Sequence, residues 1–248
     1  MRPHGGPEGG IRRSWAGRAL LAAAVLCAAS GARALDPAKA LTQYVHDSWT
    51  NETGLPQNSV NAVLQGRDGY LWIGTQEGLV RFDGVRMTVF NRETTPGFRS
   101  SDVMCLQEGE DGSLWIGTRG AGVLRLKDGL FTAFTPDEGL SNDVVRALFK
   151  DSRGTVWVST EGGLNSIRDG KVTAYSEDGG LPGLEVRAVA EGRDGVLWAG
   201  TEEGLGRLRG GHFERFTTED GLASESVRGL HPLKDGGLWV VTDGGIDR

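Results

Sequence analysis

Arg67-Asp68-Gly69-Tyr70-Leu71-Trp72-Ile73-Gly74-Thr75-Gln76-Glu77-Gly78-Leu79 decides the reading of this sequence, because its pattern occurs five times with variations. Its copies centre on Trp115, Trp157, Trp198 and Trp239, at steps of 43, 42, 41 and 41 residues. Around Trp72, residues 60–65 read as a short β-branched strand and Arg67-Asp68-Gly69 as a turn. Residues 70–75 make a second strand, residues 79–82 a third and residues 85–90 a fourth. Short apolar runs punctuated by Gly and Asp are strand-and-turn signals. Asp83-Gly84 predicts a type I′ hairpin, in which both central residues take positive φ. Four antiparallel strands in each unit of about 42 residues predict an all-β β-propeller with one blade per repeat.

Spacing inside the repeats is stricter than spacing between them. Val60 and Trp72, Val103 and Trp115, Val145 and Trp157, Val186 and Trp198, and Val227 and Trp239 each stand 12 residues apart. A hairpin of fixed register requires that constancy. Trp72, Trp115, Trp157, Trp198 and Trp239 are therefore read as packing wedges between blades, in preference to an aromatic platform for sugars. The blades span approximately 55–91, 102–135, 142–175, 184–217 and, in part, 226–248. Four are complete and the fifth stops inside its third strand. Two closures are open. The chain is an incomplete arc of a larger ring of about seven blades, or a closed five-bladed ring in which residues Tyr44 to Trp49 supply the missing strand.

The ends and the composition bound the function. Arg12, Arg13 and Arg18 precede an apolar run from Ala19 to Ala29, and Ala32-Arg33-Ala34 follows. Residues 1–34 read as a secretory signal peptide cleaved after Ala34, with a linker over 35–41 and the propeller over 42–248. The expected location is periplasmic. No later stretch is apolar enough for a membrane span. Five of the 27 basic residues and one of the 33 acidic residues lie in the leader, leaving 22 against 32, a net −10. That balance argues against binding nucleic acid through its phosphates. Of two cysteines, Cys27 is in the leader, and Cys105 fills a slot held elsewhere by Ala62, Ala147, Ala188 and Gly229. No disulfide framework can be built.

Loops joining one blade to the next, and the turns between second and third strands, lie at one end of such a blade. On this loop face fall Gln57, Asn58, Arg99, Arg119, Asn142 and Glu185, the candidate ligand-binding residues. Arg146, Arg187 and Arg228 share one first-strand position and could ring an anionic ligand. Fifteen residues later stand Glu161, Glu202 and Asp243, however, and the repeats without the arginine also lack the acid: Asn61 goes with Gln76, Met104 with Arg119. The matched variation favours structural pairs Arg146–Glu161, Arg187–Glu202 and Arg228–Asp243. His46, His212 and His231 occupy unrelated repeat positions without metal-ligand spacing. No nucleophile elbow, phosphate loop or zinc motif is present. The expectation is a non-enzymatic chain with no metal or cofactor.

The unit Val-x-Ala-Val, Arg-Asp-Gly-x-Leu-Trp-Ile-Gly-Thr, Glu-Gly-Leu resembles the two-component regulator propeller repeat over about residues 42–248. Sialidase Asp-boxes are a near miss, since Asp68 and Gly69 are adjacent. The resemblance implies the periplasmic sensor region of a membrane-bound histidine kinase, hybrid kinase or diguanylate cyclase. It further implies an oligosaccharide or other small ligand and a homodimer in the full-length protein. Such arrays usually precede a β-sandwich, a membrane helix and an output module. This sequence holds about half an array and none of those, so the expectation is a sensor segment whose output module lies elsewhere. The alternatives are a small periplasmic propeller lyase or hydrolase using loop carboxylates, and a secreted interaction scaffold.

Overall fold

The computed structural model describes residues 47–248, of which Trp49–Arg248 form one compact unit. The leader, the linker and Tyr44 of the suggested closing strand lie outside the described residues. Five antiparallel sheets follow one another along the chain. The first is β1 (Val60–Gln65), β2 (Leu71–Thr75), β3 (Gly78–Phe82) and β4 (Met87–Phe90). The second is β5 (Val103–Glu108), β6 (Leu114–Thr118), β7 (Val123–Lys127) and β8 (Leu130–Phe134). The third is β9 (Val145–Lys150), β10 (Val156–Thr160), β11 (Gly163–Arg168) and β12 (Lys171–Tyr175). The fourth is β13 (Val186–Glu191), β14 (Leu197–Thr201), β15 (Gly204–Arg209) and β16 (His212–Phe216). The fifth has three strands, β17 (Val227–Pro232), β18 (Leu238–Thr242) and β19 (Gly245–Asp247).

Each sheet meets the next through its first strand: β1 packs beside β5, β5 beside β9, β9 beside β13 and β13 beside β17. The first strands therefore line the inside of an arc, and the fourth strands lie at its periphery. The core is a set of layers between blades. Trp72, Leu79 and Phe98 of the first blade close on Val103, Leu114 and Ile116 of the second. Trp115 meets Val145, Val156 and Val158, and Trp157 meets Val186, Leu197 and Ala199. A fully buried indole removes about 150–250 Å² from water, a gross gain of about 4–6 kcal/mol. Trp239, with no blade beyond it among the described residues, is 37% exposed beside exposed Val241 and Ile246.

The peripheral turns have their own chemistry. After β8, Thr135 caps a short 3₁₀ turn over Pro136–Glu138 while Glu138 reaches back to the Thr135 amide, and Gly139 ends the turn in the left-handed region. This reciprocal capping satisfies amides the turn would otherwise leave bare. Leu140 then drops into the layer beside Trp115. Thr217, Asp220 and Gly221 repeat the device after β16.

One expectation is corrected. Asp83-Gly84 is not a type I′ turn: the Asp83 carboxylate accepts the amides of Val85 (2.8 Å) and Arg86 (2.6 Å), which opens a four-residue loop. Asp128-Gly129 and Asp169-Gly170 do take positive φ at both residues. The closed five-bladed alternative depends on residues 44–46, which lie outside the described residues. Residues 47–49 form no strand, and Trp49 packs edge-on to Phe82 of the first blade, with ring centroids 5.2 Å apart.

Candidate functional site

Every first strand carries a β-bulge at the same place. Val145 pairs with Thr160 and Ala147 with Ser159, so Arg146 is an extra residue without a ladder partner. Asn61, Met104, Arg187 and Arg228 are the equivalent residues. A bulge re-aims a side chain out of the pleat. Here Met104, Arg146, Arg187 and Arg228 meet the residue just after the second strand, while Asn61 donates to the Val103 carbonyl of the next blade at 2.8 Å.

Three of them meet acids there. Arg146 bonds Glu161, Arg187 lies 3.4 Å from Glu202, and Arg228 grips Asp243 through two bonds of 2.7 and 2.8 Å. The partners thus meet across a bulge and a turn, whereas the sequence suggested direct cross-strand neighbours. Arg187 also bonds Glu185 (3.1 Å) and Ser226 (3.0 Å), joining the fourth blade to the fifth. Hydrogen bonds from Arg228, then from Ser226, lower the Asp243 carboxyl to about 2. Arg187 lowers Glu185, whereas Glu202 is raised because it shares a hydrogen bond with Glu185.

The candidate ligand residues are largely turned inward to the loops. Asn58 bonds the amide and side chain of Asn51 at 2.7 and 3.1 Å. Gln57 accepts the Ser59 amide and faces Gln76 at 3.5 Å. Asn142 accepts the Val144 amide at 2.8 Å. Arg119 pairs with Asp102 at 3.0 Å and reaches the Met104 sulfur at 3.5 Å. Among the described residues, Arg99 alone of the six has no hydrogen bond or ion pair, and it stands exposed on the 92–99 loop. His212 and His231 lie in separate blades. No group of three His, Cys, Asp or Glu among the described residues is arranged to hold a metal. No helix among them is long and apolar enough to cross a membrane.

The opposite end of the sheets holds polar chemistry that the sequence reading passed over. Arg67 bonds Glu108 of the next blade, Lys150 bonds Glu110 of the preceding one, and Ser152 bonds Glu191 at 2.7 Å through both amide and hydroxyl. Above these clips, an arginine lies over the tryptophan of its own blade. Arg81 is 6.0 Å from the Trp72 ring, Arg125 5.5 Å from Trp115, Arg207 5.5 Å from Trp198 and Arg248 5.7 Å from Trp239. A cleft of about 260 Å³ opens between the first and second blades beside Trp72, Arg81 and Phe90. The spacing of nine residues from Trp72 to Arg81, Trp198 to Arg207 and Trp239 to Arg248 was the available signal.

The comparisons agree with this architecture. The sequence pattern described as two component regulator propeller matches residues 54–77, 97–120, 139–162 and 180–203. No curated protein matched the sequence. Among solved structures, the chain resembles the extracellular domain of a protein described as a hybrid two component system, BT3049 from B. thetaiotaomicron. Identity is 24% and the TM-score 0.62, over 77% of this chain and 27% of that one. The extracellular domain of BT4673 from the same organism gives 20% and 0.61, over 78% and 30%. Virginiamycin B lyase from Staphylococcus aureus gives 20% and 0.56, over 76% and 69%. At these identities the likeness is one of fold, and the chain spans less than a third of the two sensor-system domains. The first four blades thus each carry, over their first two strands, a match to the two component regulator propeller repeat.

Proposed function

We propose that this chain is an extracytoplasmic ligand-sensing segment of a membrane-bound signal-transduction protein, with its output module outside the chain. The observation that carries the reading is the match of four repeats to the two component regulator propeller pattern. The resemblance to extracellular domains of two-component-type systems supports it, and the Arg12–Ala34 leader supports export. The segment acts by binding and not by catalysis. Two loop-face acids, Glu161 and Asp243, are engaged by Arg146 and Arg228. The ligand is an oligosaccharide or other small molecule taken on the loop face near Arg99. Binding biases the arrangement of two propellers in a homodimer of the full-length protein. Neither nucleic acid nor a cofactor takes part.

A thermal-shift screen of the chain against a panel of neutral and acidic oligosaccharides tests this. A saturable rise in melting temperature that is lost in Arg99→Ala supports the reading. Turnover of a panel member with release of product would replace it by the lyase or hydrolase reading. A flat panel would leave the interaction-scaffold reading in its place.

A further inference from the structure

Four blades place an arginine on their tryptophan, and in three of them the chain closes that arginine with a carboxylate. Arg125 meets Asp111 at 2.5 Å, Arg207 meets Glu214 at 2.8 Å through Nε, and Arg248 meets Asp235. The third blade has no such arginine. Ser166 stands opposite Trp157 in its place, and Asp151 accepts the Trp157 indole N–H at 3.0 Å.

Only Arg81 lacks a carboxylate within 4 Å among the described residues. Its guanidinium lies 4.6 Å over the Tyr70 ring, with Trp72 and Phe90 each 6.0 Å away. Tyr70 explains the difference. Blades two, four and five carry Ser113, Val196 and Gly237 at that position, so only in the first blade does a ring draw the arginine aside. Asp68, the equivalent of Asp111 and Asp235, accepts the Tyr70 amide at 3.1 Å through Oδ1, as they accept the Ser113 and Gly237 amides, but Arg81 does not reach its Oδ2 as Arg125 and Arg248 reach theirs. Opposite Arg81 in the sheet stands Thr88, where the fourth blade has Glu214 opposite Arg207. A half-buried guanidinium on three rings presents a planar fork of donors, which matches a carboxylate.

We propose that the cleft between the first and second blades is a binding site for a small hydroxylated carboxylate of the sugar-acid class. Arg81 takes the carboxylate, as its three counterparts take Asp111, Glu214 and Asp235. Asp68 Oδ2, Glu108 and Ser113, on the walls of the same cleft, accept from hydroxyls. A volume of about 260 Å³ admits one pyranose-sized ring. The site lies at the opposite end of the sheets from the loop face, so occupancy here and sensing there succeed or fail separately.

Tryptophan fluorescence and calorimetric titration of the chain with D-galacturonate, with neutral D-galactose as control, test the site. Saturable binding of the acid, with at least tenfold weaker binding of the neutral sugar, is expected. Arg81→Gln should weaken the acid at least tenfold, and Arg248→Gln should leave it unchanged. Thr88→Glu keeps Arg81 but builds in the carboxylate that the fourth blade has, and should abolish binding in a folded protein. Equal binding of both sugars, full affinity in Arg81→Gln or Thr88→Glu, or no saturable binding of the acid overturns the proposal. So does a double-mutant cycle in which Asp68 and Arg81 couple as a closed internal pair.

Discussion

Val103 of the second blade occupies the space in which a side chain on Gly74 of the first would begin: a Cβ built on Gly74 would stand 2.6 Å from Val103 Cγ1. Gly117 receives Val145 in the same way at 2.7 Å, and Gly200 receives Val227. The glycine two residues after the tryptophan is thus the notch into which the next blade locks. Gly117→Ala should destabilise the chain by about 1–3 kcal/mol, the usual cost of overpacking a dense layer. Gly179→Ala, where a Cβ meets nothing within 4 Å, should stay within about 0.5 kcal/mol. Urea denaturation of both variants checks the contrast.

Asp151 holds the turn of the third blade from within. One oxygen accepts the amides of Arg153 (3.0 Å) and Thr155 (2.8 Å), and the other takes the Trp157 indole. Asp151→Ala strands three donors at a buried position and should cost about 2–3 kcal/mol. Equilibrium unfolding followed by tryptophan fluorescence reads the loss.

Burial pushes the Cys105 thiol up to about 12. At pH 8 the thiol is then overwhelmingly protonated, so native protein should react with a disulfide reagent far more slowly than urea-unfolded protein. Because the folded pKa is raised, the associated stability is complete below the unfolded value near 8.5. It declines as pH climbs toward about 12.

Arg228 lowers the Asp243 carboxyl to about 2, so the opposite sign applies at the acid end. The contribution of this pair is present above the unfolded carboxylate value near 3.9 and fades as pH falls through about 2. Carboxyl-carbon NMR titration should place Asp243 near 2, and Arg228→Gln should return it toward about 4. An unmoved titration would show that the pair does not form in solution.

Much of this structure was legible in the sequence, and the rest was hidden for physical reasons. The constant distance from Val60 to Trp72 reports a hairpin, because a paired register cannot absorb insertions. The shared loss of Arg146-type and Glu161-type residues reported proximity, but not its form. A bulge leaves no mark in residue type, so the pairs looked like direct neighbours. Asn58 and Asn142 looked available for a ligand, yet short amide side chains readily bond the backbone of their own loop. Asp83 defeated the hairpin expectation in the same way, by accepting two amides. The Arg81 cleft was missed because its character comes from the contrast among blades. Tyr70 in place of Ser113, and Thr88 in place of Glu214, mean little until the strands are aligned in space.

The five bulges make the inner rim a line of text written independently of the scaffold that carries it. Asn61, Met104, Arg146, Arg187 and Arg228 have no ladder partner, so exchanging one leaves the strand pairing of its blade intact. Read along the arc, the line passes from an amide through a thioether to three guanidiniums. Each guanidinium brings its own acid, Glu161, Glu202 or Asp243, so the line changes along the arc in hydrogen-bonding character, and where it reaches the next blade, as Asn61 and Arg187 do, it also clips neighbours together.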